Sequence, residues 1–163
     1  MFQKYSVPGI APWDDIVRTQ RVWHFRFFNV RDLPEMLVAG REREFLTWFH
    51  NNEAVNSRAF ANEAEETYAR AYSMPGALRA GFEYYRAFPT DMIANREFAK
   101  RKLTMPVLGI GGSGSFGPII DDHLRYVATD VRGVNIENCG HWVAEEQPEA
   151  VIDARLAFLP PAL

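Results

Sequence analysis

The chain has 163 residues, 47% of them hydrophobic and 24% charged, which fits a soluble globular protein of one or two domains and argues against disorder. Its formal net charge of −3 provides no basic field, so neither nucleic acid nor an anionic membrane is expected as a partner. A single cysteine, Cys139, excludes an internal disulfide and favours the reducing cytoplasm, and the sequence shows neither a signal peptide nor an apolar run long enough for a membrane span.

The first two thirds of the chain are predicted to be helical. Asp32 is expected to cap one helix, with Pro34 in its first turn, and Ser73 to cap another, with Pro75 in its first turn. The latter helix is expected to stop at Pro89. The apolar spacing predicts helices over 12–28, over 32–50 with a break, over 62–72, over 73–88 and over 91–100, with a loop over 51–60.

The pattern changes near residue 103. Apolar runs predict strands at 105–110 and 131–136, joined by a helix over about 118–128 and followed by a helix that Pro148 opens. Strand, helix, strand, helix is typical of parallel α/β structure. Because two strands are too few for a stable parallel sheet, the sheet is expected to be incomplete.

A glycine-rich run follows the first predicted strand. Residues 109–114 spell the G-x-G-x-x-G of dinucleotide sites, and Glu137 stands where such a site places its ribose-binding acid. Residues 111–115 also approach the G-x-S-x-G turn that carries a nucleophile, although the last glycine is missing. Since the helix begins only at Pro118 and no further strands complete a nucleotide-binding half, we favour a flexible strand-to-helix turn.

A histidine follows the second predicted strand, in the run Asn138-Cys139-Gly140-His141-Trp142. An imidazole on a loop at a strand end is accessible as a general base. Gly140 permits a tight turn, Trp142 provides an apolar anchor, and Glu145 and Glu146 place acids at the start of the next helix. A base that comes last in the chain is typical of the nucleophile–acid–histidine order of α/β-hydrolases. The alternative is a capping or surface histidine.

These motifs resemble the closing segment of an α/β-hydrolase. The resemblance is carried by LTMPVLGIGG at 103–112, SFGP at 115–118 and VNIENCGHWVAEEQPEAV at 134–151. The helical part resembles the cap of the epoxide hydrolase and haloalkane or haloacid dehalogenase branch, through VWHFRFFN at 22–29, LPEMLVAGREREFLTWF at 33–49 and GFEYYRAF at 81–88. The implied fold is an incomplete α/β-hydrolase, with a helical cap over 1–102 and the last two parallel strands and helices of the core over 103–163.

The resemblance implies roles for individual residues. His141 matches the general base, and Tyr85 matches the cap tyrosine that hydrogen-bonds the epoxide oxygen. Trp23 and His24 occupy the region where relatives place a second tyrosine, or a halide-binding histidine and tryptophan. Together with Trp142 they are expected to contact the substrate. The alternative for the cap residues is plain packing among neighbouring phenylalanines.

The implied activity is hydrolysis through a covalent Asp ester, without metal or cofactor. An Asp carboxylate opens an epoxide, Tyr85 stabilises the leaving oxygen, and His141 activates the water that hydrolyses the ester. The nucleophile and the acid that orients His141 match no residue of the chain, which is therefore interpreted as a fragment and expected to be inactive alone. Asp121 and Asp122 are the nearest carboxylates in sequence, but solvated helix residues are the favoured interpretation.

The expected substrate is a small apolar epoxide or organohalide. A dehalogenase-like hydrolase is the alternative within enzymes, and a non-catalytic helical binding or interaction module is the alternative of another class. An open edge of an apolar sheet is a template for pairing with another chain, so self-association through that edge is also expected.

Overall fold

The computed structural model describes residues 7–10, 13–18 and 20–159. Within this part of the chain, helices come first and a pair of strands follows. The elements are α1 (Trp13–Ile16), a 3-10 turn (Gln20–Val22), α2 (Trp23–Asn29), α3 (Leu33–Val38), α4 (Glu42–Glu53), α5 (Asn62–Tyr72), α6 (Ala77–Arg86), α7 (Phe88–Phe98), β1 (Val107–Gly112), α8 (Gly117–Leu124), β2 (Val131–Ile136), α9 (Val143–Glu146) and α10 (Pro148–Leu156). None of the helices in the described ranges is both long and apolar enough to cross a membrane.

The two strands confirm the predicted α/β part. β1 and β2 are parallel neighbours, with Val107 opposite Val131 and Gly112 opposite Ile136. α8 joins them and packs against both strands. β1 starts two residues later than predicted, because Pro106 has no N–H for the ladder, and it continues through the first glycines of the glycine-rich run. Among the described residues each strand pairs only with the other, so the sheet is incomplete as expected.

Close packing explains the glycine-rich run. A Cβ on Gly111 would lie 2.7 Å from the main-chain nitrogen of Gly117, at the start of α8. A Cβ on Gly112 would overlap the carbonyl oxygens of Cys139 and Gly140. The run is therefore a strand-to-helix connection whose glycines let two other main-chain segments approach β1, and packing alone accounts for its resemblance to a dinucleotide motif.

Helix boundaries in the first part differ from the prediction in several places. α5 has the predicted bounds. The single helix predicted over 12–28 is instead divided into α1, a 3-10 turn and α2, and Pro12 lies outside the described residues. α4 continues to Glu53, three residues into the predicted loop. Gly40, with φ of 78°, makes the break between α3 and α4.

Asp32 does not cap α3 through its side chain. The residue precedes α3 but has a left-handed backbone, with φ of 66°, and its carboxylate makes no capping hydrogen bond. The carboxylate instead pairs with the guanidinium of Arg79 on α6. The capping prediction is wrong because a partner distant in sequence binds the side chain.

Ser73 does not cap a helix start either. It ends α5, and its hydroxyl donates to the carbonyl oxygen of Ala69 at 2.8 Å, a back-bond typical of serine at a helix end. Gly76, with φ of 81°, precedes α6. Pro89 lies in the first turn of α7 and does not itself end α6, which already stops at Arg86.

The helices pack around an aromatic cluster. Phe28 is fully buried, stacks on Phe82 with a centroid distance of 4.6 Å, and meets the ring of Tyr85 at 4.8 Å. The aromatic cluster consists of Trp13, Phe28, Val38, Phe49, Phe82, Tyr85 and Phe88. Burial of each such ring contributes about 1.5–3 kcal/mol, so this cluster is the main stabilising element of the helical part. A smaller core of Ile136, Cys139 and Val143 lies at the end of β2.

We predict that Gly112→Ala destabilises the chain by more than about 3 kcal/mol, because the new methyl group would overlap main-chain atoms that cannot rotate away. Gly40→Ala is the matched control. Nothing lies within 4 Å of a Cβ at Gly40, so only the left-handed backbone is penalised, at about 1–2 kcal/mol. Urea unfolding followed by tryptophan fluorescence measures both. Equal losses in the two variants would contradict the packing explanation.

Candidate active site between the aromatic cluster and the end of the second strand

His141 lies on the loop that follows β2, as predicted. It is half-buried, and its main-chain N–H donates to the carbonyl oxygen of Glu53, the last residue of α4, at 3.0 Å. A Cβ on Gly140 would lie 2.5 Å from that same Glu53 oxygen and 2.7 Å from the nitrogen of Val55. The Gly-His pair therefore permits close approach of the histidine loop to the helical part.

Trp142 anchors this loop to the helical part. Its indole Nε1 donates to the carbonyl oxygen of His50 at 3.1 Å. The ring also packs edge-on against the His50 imidazole at 4.9 Å and against Phe49 and Phe60 at 5.9 Å each. The apolar anchor expected from the sequence is thus present, and it faces α4 and the loop after it.

A buried carboxylate also binds the main chain of the histidine loop. Glu146, which is 6% exposed, accepts hydrogen bonds from main-chain N–H groups on both sides of the junction. These donors are Val55 at 2.8 Å, Asn56 at 3.0 Å, Gly140 at 3.0 Å and Trp142 at 3.1 Å. From the sequence, Glu146 was expected only to be an acid at a helix start. Its position five residues after His141 was the available signal.

His24 lies on α2, inside the aromatic surroundings. Its ring meets Phe49 at 5.0 Å and Tyr85 at 5.7 Å, both edge-on. Its Nδ1 is buried and has no hydrogen-bond partner among the described residues. Burial, with a smaller contribution from the charge of His141, lowers the pKa of His24 to about 3. The imidazole is therefore neutral at pH 7 and lies within electrostatic reach of the predicted base.

Tyr85 lies on α6 and faces the same region. The side chain is buried, and its ring contacts Phe25, Phe28 and Phe88. Burial raises the pKa of the Tyr85 phenol well above its ordinary value, and the neighbouring tyrosines and the Glu53 carboxylate add to the shift. The hydroxyl thus remains protonated and can act as a hydrogen-bond donor.

Trp23 is less buried than its neighbour His24, whose ring it meets edge-on at 5.8 Å. Its half-buried ring meets Trp48 on α4 edge-on at 5.6 Å and Phe27 at 5.7 Å. Packing with aromatic neighbours, the alternative weighed for Trp23, His24 and Tyr85, therefore describes all three. The structure brings His24 into ring contact with both Trp23 and Tyr85 and places His141 within electrostatic reach of His24. Trp142 packs against Phe49 and His50 of α4.

Two other reactive side chains, Cys139 and Asp121, have contacts that indicate a structural role. Burial and the Glu146 charge raise the pKa of the Cys139 thiol to about 11, so it is not a thiolate nucleophile at neutral pH. Asp121 pairs with Arg125 at 2.6 Å and accepts the Gly133 N–H at 2.9 Å, which ties α8 to β2. The described residues contain no group of three acidic, histidine or cysteine side chains that could hold a metal ion.

Epoxide hydrolases and α/β-hydrolases are among the known proteins to which the chain is similar. The chain is 40% identical over 119 residues to the soluble epoxide hydrolase of Corynebacterium sp. (strain C12), which covers 73% of the chain and 41% of that protein. Among solved structures, Cfl2 from Burkholderia cenocepacia has a TM-score of 0.81 and 36% identity, over 94% of the chain and 54% of Cfl2. The epoxide hydrolase CorEH has a TM-score of 0.77 and 33% identity, over 85% of the chain and 50% of CorEH. No protein-family model matches the chain.

The chain is thus related to the epoxide hydrolases of the α/β-hydrolase superfamily over the part of the fold that it spans. It spans 41% of the curated relative and about half of the two solved structures. Its helices and its two parallel strands form an incomplete α/β-hydrolase fold, as the sequence implied.

We predict that His24 makes the chain less stable in mild acid. Its pKa is about 3 in the folded state against 6.5 in the unfolded chain, so below pH 6.5 the unfolded state binds more protons and stability falls as pH falls. Between pH 7 and pH 5 this loss amounts to about 2 kcal/mol. His24→Phe should remove that part of the pH dependence, as measured by urea unfolding at the two pH values.

Phe25→Leu is the control for this measurement, because it alters the same aromatic surroundings without removing a titrating group. It should lower stability at both pH values and keep the difference between them. A His24→Phe variant with the pH dependence of the unaltered chain would show that His24 is not held neutral.

Proposed function

We propose that this chain supplies the cap and the general-base loop of an α/β-hydrolase that opens small apolar epoxides. The supporting observation is that two buried donors, His24 and Tyr85, stand in ring contact on the helical side, while His141 is held against that side by its loop. In this proposal residues 1–102 are the cap and residues 103–163 are the closing part of the hydrolase core.

Tyr85 and His24 are suited to stabilise the leaving oxygen. As an epoxide ring opens, negative charge develops on oxygen, and donors fixed in a water-poor site stabilise it strongly. The pKa of Tyr85 is raised and that of His24 lowered, so both groups are neutral at pH 7 and each can donate one hydrogen bond. A His–Tyr pair then replaces the two tyrosines of many epoxide hydrolases.

His141 is assigned the second step. Opening of the ring by an Asp carboxylate gives an ester between enzyme and substrate, and a base must take a proton from the water that attacks this ester. A half-buried imidazole on a loop is accessible to such a water. Trp142, beside it, would form part of the apolar wall around the substrate.

The nucleophilic Asp matches no residue of the chain. In the proposed enzyme it is supplied by a separate segment of the α/β-hydrolase core, so the chain alone is proposed to be inactive. The outer edge of β1 is where that segment would pair, and without it the same edge favours self-association. The absence of disulfides and the buried Cys139 suit a cytoplasmic location.

Dehalogenation is the second candidate. The adjacent Trp23 and His24 favour it, since relatives use such a pair to bind halide, and their rings meet edge-on at 5.8 Å, about as close as those of His24 and Tyr85 at 5.7 Å. The Trp23 ring is half-buried and also packs against Trp48, whereas Tyr85 is buried, which favours Tyr85 as the partner of His24 in a water-poor site. A non-catalytic interaction module is the third candidate, consistent with a helical part that has its own aromatic cluster.

Reconstitution tests the proposed function. The chain is co-expressed with the segment of the Corynebacterium soluble epoxide hydrolase that precedes its matching region, and hydrolysis of an aryl epoxide is measured. We expect turnover that falls about 10²–10⁴-fold in His141→Ala, with the ester on the Asp accumulating and visible by mass spectrometry of the intact segment. Tyr85→Phe should lower turnover about 10²-fold without accumulation of ester, because it acts in ring opening.

Glu149→Gln, an exposed change on α10, is the control and should leave turnover unchanged. Release of halide from a haloacid without epoxide turnover would favour the dehalogenase alternative. A correctly assembled complex that turns over neither substrate would support the interaction module.

The chain alone gives a further prediction. Light scattering should show oligomers or aggregates, because an open edge of an apolar strand pairs with other copies. No epoxide or haloacid turnover above background is expected. A monodisperse monomer that hydrolyses an epoxide, and loses this activity in His141→Ala, would contradict both the missing nucleophile and the open edge.

A further inference from the structure

We propose that Glu146 is a positioning residue of this site: its carboxylate joins the histidine loop to the end of α4 and thereby determines where the His141 imidazole stands. The inference rests on the proposed function, in which His141 is the base. No role for Glu146 follows from the resemblance to hydrolases, and its contacts alone support the proposal.

The carboxylate binds main-chain N–H groups on both sides of the junction, and the Gly140 N–H lies 3.0 Å from each of its two oxygens. Oε1 accepts from the N–H groups of Gly140 and Trp142, at 3.0 and 3.1 Å, the two residues that flank His141. Oε2 accepts from Val55 and Asn56, at 2.8 and 3.0 Å, in the loop after α4. We call these four N–H groups and the carboxylate the Glu146 clamp. It joins segments that are 90 and 91 residues apart in sequence.

The clamp requires a carboxylate rather than any polar side chain. Each oxygen accepts at least two N–H groups, and within the described residues Glu146 takes part in no ion pair with a basic side chain. An amide of the same shape would direct its NH₂ group at two other N–H groups, so one half of the clamp would open. Hydrogen bonds to a charged acceptor are also stronger than those to a neutral one.

The contacts around His141 explain why the Glu146 clamp affects the position of the imidazole. The His141 N–H is bound by Glu53 at 3.0 Å, and both neighbouring residues are bound by Glu146. A Cβ on Gly140 would meet both Glu53 and Glu146, so the loop has no spare room. The backbone from 140 to 142 is thus fixed to α4, and a shift of the helical part would move the base.

The neighbouring acid, Glu145, does not join the histidine loop to the end of α4. It lies one residue earlier on α9, and its carboxylate contacts the Tyr68 hydroxyl on α5. Its only hydrogen bond to a residue beside His141, among the described residues, is the local helix bond from its main-chain N–H to the Trp142 carbonyl oxygen at 2.9 Å, and its carboxylate binds neither Gly140 nor Trp142. The position of the base therefore depends on Glu146, which reaches both sides of the junction.

Hydrogen exchange tests the clamp without any need for turnover. On the purified chain, main-chain amide exchange is resolved to single residues by mass spectrometry, and exchange of the imidazole C2–H against pH reports each histidine. In Glu146→Gln, at least one N–H pair of the clamp should exchange about tenfold faster or more, and the midpoint of the His141 profile should move. The His123 profile and the amides between β1 and β2 should not change, and Glu149→Gln should match the unaltered chain.

An unchanged His141 profile in Glu146→Gln, with clamp amides released and the strand amides protected, would overturn the proposal and leave Glu146 a structural residue. So would unchanged clamp amides. If this variant does not fold, Glu146→Asp replaces it, since the charge is kept while the side chain is one methylene shorter and reaches only one N–H pair. The same shift in His141 is then expected, and its absence again overturns the proposal. Failure of the reconstituted activity is a separate result, because neither exchange measurement uses it.

Discussion

The close approach of main chain at Gly140 is the constraint on which the rest of the structure depends. On one side the peptide lies against Gly112 of β1, and on the other against Glu53 at the end of α4. No side chain fits in either gap. Two sequence motifs that look independent, the glycine-rich run and the Gly-His pair, therefore form one contact. This contact brings the strand pair, the histidine loop and the helical part together at a single point.

Regular elements with strong local patterns could be predicted from the sequence. The parallel strands and α5 were predicted because their apolar spacing and flanking residues agree with their surroundings, and the start of α10 was predicted because Pro148 suits the first turn of a helix. Asp32 and Ser73 were misassigned because the bonds of their side chains do not follow the local pattern: Arg79, 47 residues away, takes the carboxylate of Asp32, and the hydroxyl of Ser73 turns back to its own helix. Local patterns carry no information about such competition.

The candidate site divides in the same way. The histidine loop could be predicted because glycine, histidine and tryptophan are adjacent in sequence, and the role expected of each does not depend on residues distant in the chain. The part played by Glu146 could not be predicted, since half of its donors come from Val55 and Asn56. For His24 and Tyr85, sequence offered function and packing as alternatives, whereas the structure places both residues among the same rings. The packing of these residues does not distinguish a functional role from a structural one, because one buried side chain can have both roles.

The position of His24 and Tyr85 among the aromatic rings also bears on how this protein can evolve. The rings that surround these two residues are the ones that hold α2, α4 and α6 together. A mutation that enlarges the space beside them for a bulkier ligand removes contacts from the fold at the same time. New ligand preference must then be accompanied by compensating changes elsewhere, or arise at the rim of the cluster, where Trp23 is half-buried and Trp48 is exposed. Adaptation of this protein is therefore expected to begin at α4 and its outward tryptophan.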